Sequence, residues 1–97
     1  VRLLALRGLG ERAVAEDDAE TGMALLSQAY AIATDPRQSN LLQEAHLKSA
    51  LAACHVGLGR PDAARIALIE AGRGFQKLGL RHLLPALRTR ADSLTST

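Results

Sequence analysis

Apolar residues recur along this chain at spacings of three and four, the period of an α-helix with one buried face. The first such segment runs to about Ala15, and the second extends from the acidic cluster at 16–18 to near Thr34. Asp17 with Glu20 three residues later predicts a capping box that opens the second helix. Its expected packing face consists of Gly22, Leu25, Leu26, Ala29, Ile32 and Ala33.

A proline marks the predicted start of the third helix, because proline is tolerated at the first helical position. Asp35 provides the N-cap before Pro36, with Gln38 as a capping-box partner, and Gly57 with Gly59 ends the helix. Two apolar stripes lie along it, one of Leu47, Leu51, Cys54 and Leu58 and the other of Leu42, Ala45, Ala52 and Val56. A helix with two apolar stripes is expected to be covered on both sides.

The fourth helix is expected to begin at Pro61, and its apolar positions have the clearest helical period in the chain. They are Ala64, Leu68, Ala71, Phe75 and Leu78. Gly79 is the expected left-handed stop, and a fifth helix follows from Leu80. Pro85 lies early enough in that helix to be tolerated. The whole pattern predicts an all-α fold.

The two halves of the chain repeat each other at a fixed offset of 42 residues. The aligned pairs are Leu9 with Leu51, Gly10 with Ala52, Gly22 with Ala64, Leu26 with Leu68 and Ala29 with Ala71. Such an offset between helix pairs is typical of helical-repeat proteins, in which each hairpin buries its face against its neighbours. The Leu-Gly pair and the small-large-small slots resemble the tetratricopeptide repeat (TPR), and other helical-hairpin arrays share these positions.

The resemblance implies a right-handed α-solenoid that forms a single domain over residues 1–97. It would contain two degenerate hairpins, about 1–35 and 36–79, and a closing helix at about 80–94. The positions that are aromatic in the family are occupied here by Leu6, Ala13, Lys48 and His55. The repeat is also longer than the family's 34 residues, because an extension at 37–44 lengthens the third helix. Long degenerate repeats of this kind are similar to those in large bacterial regulators of the LuxR and maltose-activator type. Because the chain begins at Val1, we expect it to be a piece of a longer protein.

In the resembled family the first helix of each hairpin lines a concave surface that binds a partner. Carried over by repeat register, the implied partner-binding residues are Leu4, Arg7, Glu11, Val14, His46, Ser49, Ala53 and Val56. The family's cationic clamp for peptide carboxylates is not reproduced, so a mixed apolar groove favours a helix or an extended apolar peptide. The expected function is non-catalytic protein or peptide binding without a cofactor. The alternative is an effector-sensing or self-association segment of a bacterial transcriptional regulator.

Composition narrows the range of functions. Leucine and alanine number 18 each, whereas valine and isoleucine together number six, which excludes a β-rich fold. Only two residues are aromatic, so stacking platforms for single-stranded nucleic acid are lacking. The single cysteine, Cys54, is compatible with a reducing compartment, and the longest uncharged run has 14 residues, too few to span a bilayer. We therefore expect a cytoplasmic protein.

Charge is distributed unevenly, with four basic and seven acidic residues in 1–44 but eight basic and three acidic in 45–97. Such asymmetry can steer a partner or align copies of the chain. Neither a metal site nor an active site is expected: on one helix His46 and His55 face opposite ways, and no acid orients a His46 and Ser49 pair. The basic residues near the C-terminus are too few for a helix that reads the DNA groove.

Overall fold

Five α-helices account for nearly all of the described chain. The computed structural model describes residues 2–37 and 40–95, and it has no β-strand within those ranges. The helices are α1 (Arg2–Ala15), α2 (Ala19–Ala33), α3 (Leu41–Gly57), α4 (Pro61–Lys77) and α5 (Leu84–Thr95), with a 3-10 turn at Arg81–Leu83 before α5. The prediction of an all-α fold is confirmed.

Each helix packs mainly against its neighbours in the chain, and α1 also contacts α3. The molecule measures 39 × 32 × 18 Å, and its shortest dimension fits two layers of helices. One buried cluster surrounds α2 and contains Leu26, Ala29, Ala33, Leu47 and Cys54. The other surrounds α4 and contains Ala45, Ala52, Ala64, Leu68, Ala71, Phe75 and Leu87.

Helix α3 contributes to both clusters, as its two apolar stripes predict. Leu47 and Cys54 pack with α2, whereas Ala45 and Ala52 pack with α4. The outermost members of the second stripe behave differently, because Leu42 and Val56 remain exposed. The stripe is therefore buried only in its centre, where α4 lies alongside it.

The predicted N-cap of α2 is wrong by one residue. Asp17 has a φ of 62° and lies in the turn between α1 and α2. Asp18 caps the helix instead, since its Oδ1 accepts a hydrogen bond from the backbone N–H of Thr21 at 3.2 Å. Aspartate tolerates the left-handed conformation better than most residues, so the first of the two acids can make the turn and the second the cap.

The predicted start of α3 at Pro36 is also wrong. Asp35 accepts a hydrogen bond from the backbone N–H of Arg37 at 2.9 Å, and Pro36 and Arg37 form a turn. This local side-chain to backbone bond competes with a helix. The proposed capping-box partner Gln38 lies outside the described residues.

Helix α3 begins instead at Leu41, one turn before Ala45, which is its first buried residue. Asn40 is its N-cap, and its Oδ1 accepts from the backbone N–H of Gln43 at 3.1 Å. The extra residues of the repeat therefore lengthen α3 by only about one turn, and Pro36 and Arg37 belong to the connection from α2.

The predicted helix ends are confirmed. Gly59 and Gly79 have φ values of 73° and 76°, the left-handed conformation that stops a helix at low cost for glycine. Pro61 is the first residue of α4, as predicted. The fifth helix differs slightly from its prediction, because the chain first makes the 3-10 turn and Pro85 becomes the second residue of α5. At that position proline has no preceding helical turn to disrupt.

Candidate functional site

Helices α1, α3 and α5 border an open groove with a volume of about 330 Å³. Its lining residues are Arg7, Glu11, Val14, His46, Ser49, Ala50, Ala53 and Arg90. Val14, Ala50 and Ala53 are aliphatic, and the other five lining residues are charged or polar. Binding sites commonly combine apolar surface with polar groups that fix the orientation of the ligand.

The structure brings together six of the eight residues implied by the repeat register. They are Arg7, Glu11, Val14, His46, Ser49 and Ala53. The other two, Leu4 and Val56, are exposed and lie outside the groove lining. The structure therefore places these six residues around one groove, and their role in binding a partner stays a prediction.

Sequence reasoning missed two lining residues. Ala50 could have been found, because it follows His46 by four residues and precedes Ala53 by three, and so shares their side of α3. Arg90 could not, because its place in the groove depends on how α5 lies against α3. No periodicity within α5 predicts that contact.

Arg7 forms a link between α1 and α3. Its Nε donates to Glu11 Oε1 at 2.8 Å, and its Nη1 donates to Gln43 Oε1 at 2.8 Å. Two fixed acceptors hold the planar guanidinium in one orientation. The α1 wall of the groove is thus ordered before any ligand arrives, which lowers the entropy cost of binding.

Arg90 extends from α5 to α3. Its Nη1 donates to Ser49 Oγ at 2.8 Å, and its Nη2 donates to the Ser49 carbonyl oxygen at 3.4 Å. Both acceptors are neutral. Within the part of the chain that the structure describes, no carboxylate pairs with this guanidinium, so its charge remains available to an anionic group in the groove.

His46 connects the groove with the core around α4. Its ring meets Phe75 edge to face, with ring centroids 4.9 Å apart and an interplanar angle of 70°. Burial lowers the pKa of His46, the positive charge of Arg7 lowers it further, and Glu11 partly opposes this effect. The imidazole is therefore neutral at pH 7 and forms part of the groove wall.

A second cleft, of about 280 Å³, lies where the end of α2 meets the first half of α3 and the second half of α4. Lys48 is its central residue: the ammonium group lies 2.6 Å from Glu70 Oε2 and 5.1 Å from the centre of the Tyr30 ring. Burial lowers the pKa of Lys48, but the hydrogen bonds and charges of Glu70 and Tyr30 outweigh it and leave the pKa raised. Arg73 and Lys77 add positive charge at the rim.

The cysteine and the histidines are the residue types that a zinc site would use. Cys54 is fully buried beside α2, and burial raises the pKa of its thiol. In residues 2–37 and 40–95 no three His, Cys, Asp or Glu side chains come close enough together to hold a metal ion. None of the described helices combines the length and the apolar character needed to cross a membrane.

Comparison of the chain with protein-family models, with curated proteins and with solved structures gave no significant match. The case for a function therefore depends on the geometry of the grooves and on the internal repeat.

Proposed function

We propose that this chain is a non-catalytic binding module that holds a peptide or helix of a partner protein in the groove between α1, α3 and α5. The observation that carries the proposal is the convergence of six register-predicted residues on one open groove that combines aliphatic side chains with hydrogen-bonded polar ones. A cytoplasmic location, which the single cysteine predicts, is part of the same proposal.

A right-handed, TPR-like solenoid is the architecture that best explains this groove. Its support is that four of the five aligned pairs are buried in both repeats: Gly10 and Ala52, Gly22 and Ala64, Leu26 and Leu68, and Ala29 and Ala71. In such an array the first helices of successive hairpins lie side by side. Helices α1 and α3 do contact each other, and both line the groove.

The groove chemistry indicates what the ligand contains. Val14, Ala50 and Ala53 offer small apolar surfaces that suit aliphatic side chains. Arg90 offers a guanidinium whose bonds in the groove go to neutral acceptors. We therefore expect a mainly apolar peptide with one acidic side chain placed to meet Arg90.

Peptide selection tests this proposal. A displayed library of random peptides is selected against the chain, and the affinities of the enriched peptides are measured by isothermal titration calorimetry. Ala53→Glu fills the groove and offers Arg90 an internal carboxylate, so we expect binding to weaken by about tenfold or more. Ala24→Glu, at an exposed position on α2 outside the groove, is the matched control and should bind normally. Equal binding by the Ala53→Glu variant would place the ligand elsewhere and contradict the proposal.

Effector sensing is the second candidate function, and the cleft around Lys48 favours it. This cleft combines an aromatic ring with three cations and two acids, groups that can fix the orientation of a small anionic metabolite. A ligand that binds only the folded state raises the melting temperature. A thermal-shift screen with anionic metabolites should give a shift that Lys77→Ala reduces, and the absence of any shift would count against sensing.

A further inference from the structure

Helix α1 carries an exposed face that neither the core nor the groove uses. Ala5, Leu9 and Arg12 lie along it at spacings of three and four, and all three are exposed. Leu9 is 54% exposed, and an added Cβ at the adjacent Gly8 would meet nothing within 4 Å. This face, which we call the outer face of α1, therefore leaves a large aliphatic side chain in water beside open space.

The face of α3 that is equivalent to the outer face of α1 in the internal repeat packs against another helix. With the 42-residue offset, Ala5, Leu9 and Arg12 correspond to Leu47, Leu51 and Cys54 of α3. Those three residues of α3 belong to the cluster around α2, so a neighbouring helix covers them. The outer face of α1 is thus the equivalent of a helix-packing surface of α3, and none of the helices within residues 2–37 and 40–95 lies against it.

The charges at its two ends make the outer face complementary to itself. Leu9 lies midway between Arg2 and Glu16, seven residues from each. When two α1 helices lie antiparallel about a two-fold axis at Leu9, Arg2 of each copy faces Glu16 of the other and joins the pair that Glu16 already forms with Arg12 of its own helix at 3.2 Å. The small Ala5 then lies one residue away from the level of the other copy's Arg12, whose aliphatic stem can pack over it. A two-fold interface requires this kind of self-complementarity.

We propose that the outer face of α1 binds a second copy of the chain, forming a symmetric dimer through antiparallel α1 helices. The groove remains open in this dimer, because Arg7 and Glu11 point to a different side of α1. The dimer therefore does not depend on the proposed peptide binding. One 14-residue helix from each copy buries less than the about 1,200 Å² at which stable interfaces begin, so we expect weak association.

Sedimentation equilibrium from about 10 μM to about 1 mM chain tests the dimer. We expect a reversible monomer–dimer equilibrium for the unaltered chain. Leu9→Asp should raise the dissociation constant at least about tenfold. Leu4→Asp is the matched control, since Leu4 is 57% exposed on the same helix but faces away from the outer face; it should dimerise normally. A monomer at every concentration, or equal effects of the two variants, would overturn the proposal.

A charge exchange tests the antiparallel register. Arg2→Glu alone places two acids opposite each other at both ends of the dimer, and Glu16→Arg alone places two bases there. Each variant should therefore dimerise less well than the unaltered chain, by several-fold at low salt. Mixing the two variants restores opposite charges at both ends, so the mixture should form a heterodimer. Failure of the mixture to associate better than either variant would refute this register, while circular dichroism checks that both variants remain helical.

Discussion

Two glycines allow α1 and α2 to approach closely. An added Cβ at Gly22 would lie 2.7 Å from Val14 Cγ2 and 3.1 Å from the Gly10 carbonyl oxygen. An added Cβ at Gly10 would lie 2.6 Å from Leu26 Cγ. Both distances to carbon are shorter than van der Waals contact permits. The small positions of the repeat are thus places where one helix packs closely against another. Val14, which lies next to Gly22, also lines the groove.

Gly22→Ala and Gly8→Ala should have opposite effects on the free energy of unfolding. Both glycines lie inside helices, so each replacement gains up to about 1 kcal/mol of helix propensity. At Gly8 nothing opposes this gain, whereas at Gly22 the new methyl overlaps Val14 and the Gly10 carbonyl, with an expected cost of about 1–3 kcal/mol. Urea denaturation should show Gly8→Ala more stable than the parent chain and Gly22→Ala less stable than Gly8→Ala. Equal stability of the two variants would contradict the close approach.

Two histidines should make stability depend on pH. Burial lowers the pKa of His46, with a further contribution from Arg7, and burial followed by Arg60 lowers the pKa of His55. The Nδ1 atom of His55 is also buried without a hydrogen-bond partner. Because the unfolded chain binds these protons more readily, the free energy of unfolding should be highest above pH 6.5 and fall as the pH is lowered towards 5.

Urea midpoints at pH 7.5 and 5.5 measure this dependence. His46→Gln should reduce the difference between the two midpoints, because the group that resists protonation is gone. His82 is exposed after the last turn of α4, so His82→Gln is the matched control for the loss of one histidine. A chain equally stable at both pH values would contradict the burial of these rings.

At the scale of the elements, the ends of the helices were easier to predict than their starts. Helices α3 and α4 end before a residue in the left-handed conformation, and Gly59 and Gly79 are the obvious residues for it. The starts of α2 and α3 use a side-chain acceptor, and the chain offers several near each start. Asp18 and Asn40 are the caps because their side chains accept from the backbone N–H groups of Thr21 and Gln43.

Replacing the N-cap of α3 should test this explanation. Asn40→Ala removes the acceptor for the backbone N–H of Gln43 and should lower the free energy of unfolding by about 1 kcal/mol. Asp35→Ala removes only the turn bond to Arg37, outside any helix, and should change stability by less than about 0.5 kcal/mol. Chemical denaturation of both variants gives the comparison. A larger loss for Asp35→Ala would favour the earlier helix start.

At the scale of the whole molecule, α3 joins the two hydrophobic clusters. Because α3 packs with α2 on one side and α4 on the other, neither hairpin has a complete core by itself. A helical repeat of this kind gains stability from the interfaces between its units. We therefore expect a disruption inside one cluster to unfold the whole chain.

Adjacent residues on α4 offer a direct test of this cooperativity. Leu68 is 3% exposed in the cluster around α4, and Leu68→Asp buries an unpaired charge at a cost of more than about 4 kcal/mol, enough to unfold a small domain. Ile69 is 48% exposed between Arg65 and Arg73, so Ile69→Asp should cost less than about 1 kcal/mol. Circular dichroism should show loss of helix in the first variant alone. A folded Leu68→Asp variant would refute the core assignment.

The sequence by itself determined the all-α class, the five helices, the positions of their ends and most of the core. These features depend on local periodicity and on the conformational limits of glycine and proline, and both can be recognised from residues that are close together in the sequence. The repeat offset also predicted most of the residues that line the groove, because residues at equivalent positions of the repeat lie on the same side of their helices.

Only the tertiary structure decided which acceptors cap α2 and α3, that Leu4 and Val56 lie outside the groove, and that Arg90 enters it. Each cap is a hydrogen bond to a residue three positions along the chain, whereas the composition of the groove depends on the distances between helices that are far apart in the sequence. Arg90 and Ser49 are 41 residues apart, and their contact exists because α5 lies back over the core around α4. A helical period fixes which side of a helix is apolar, but the packing of neighbouring helices fixes what that side meets.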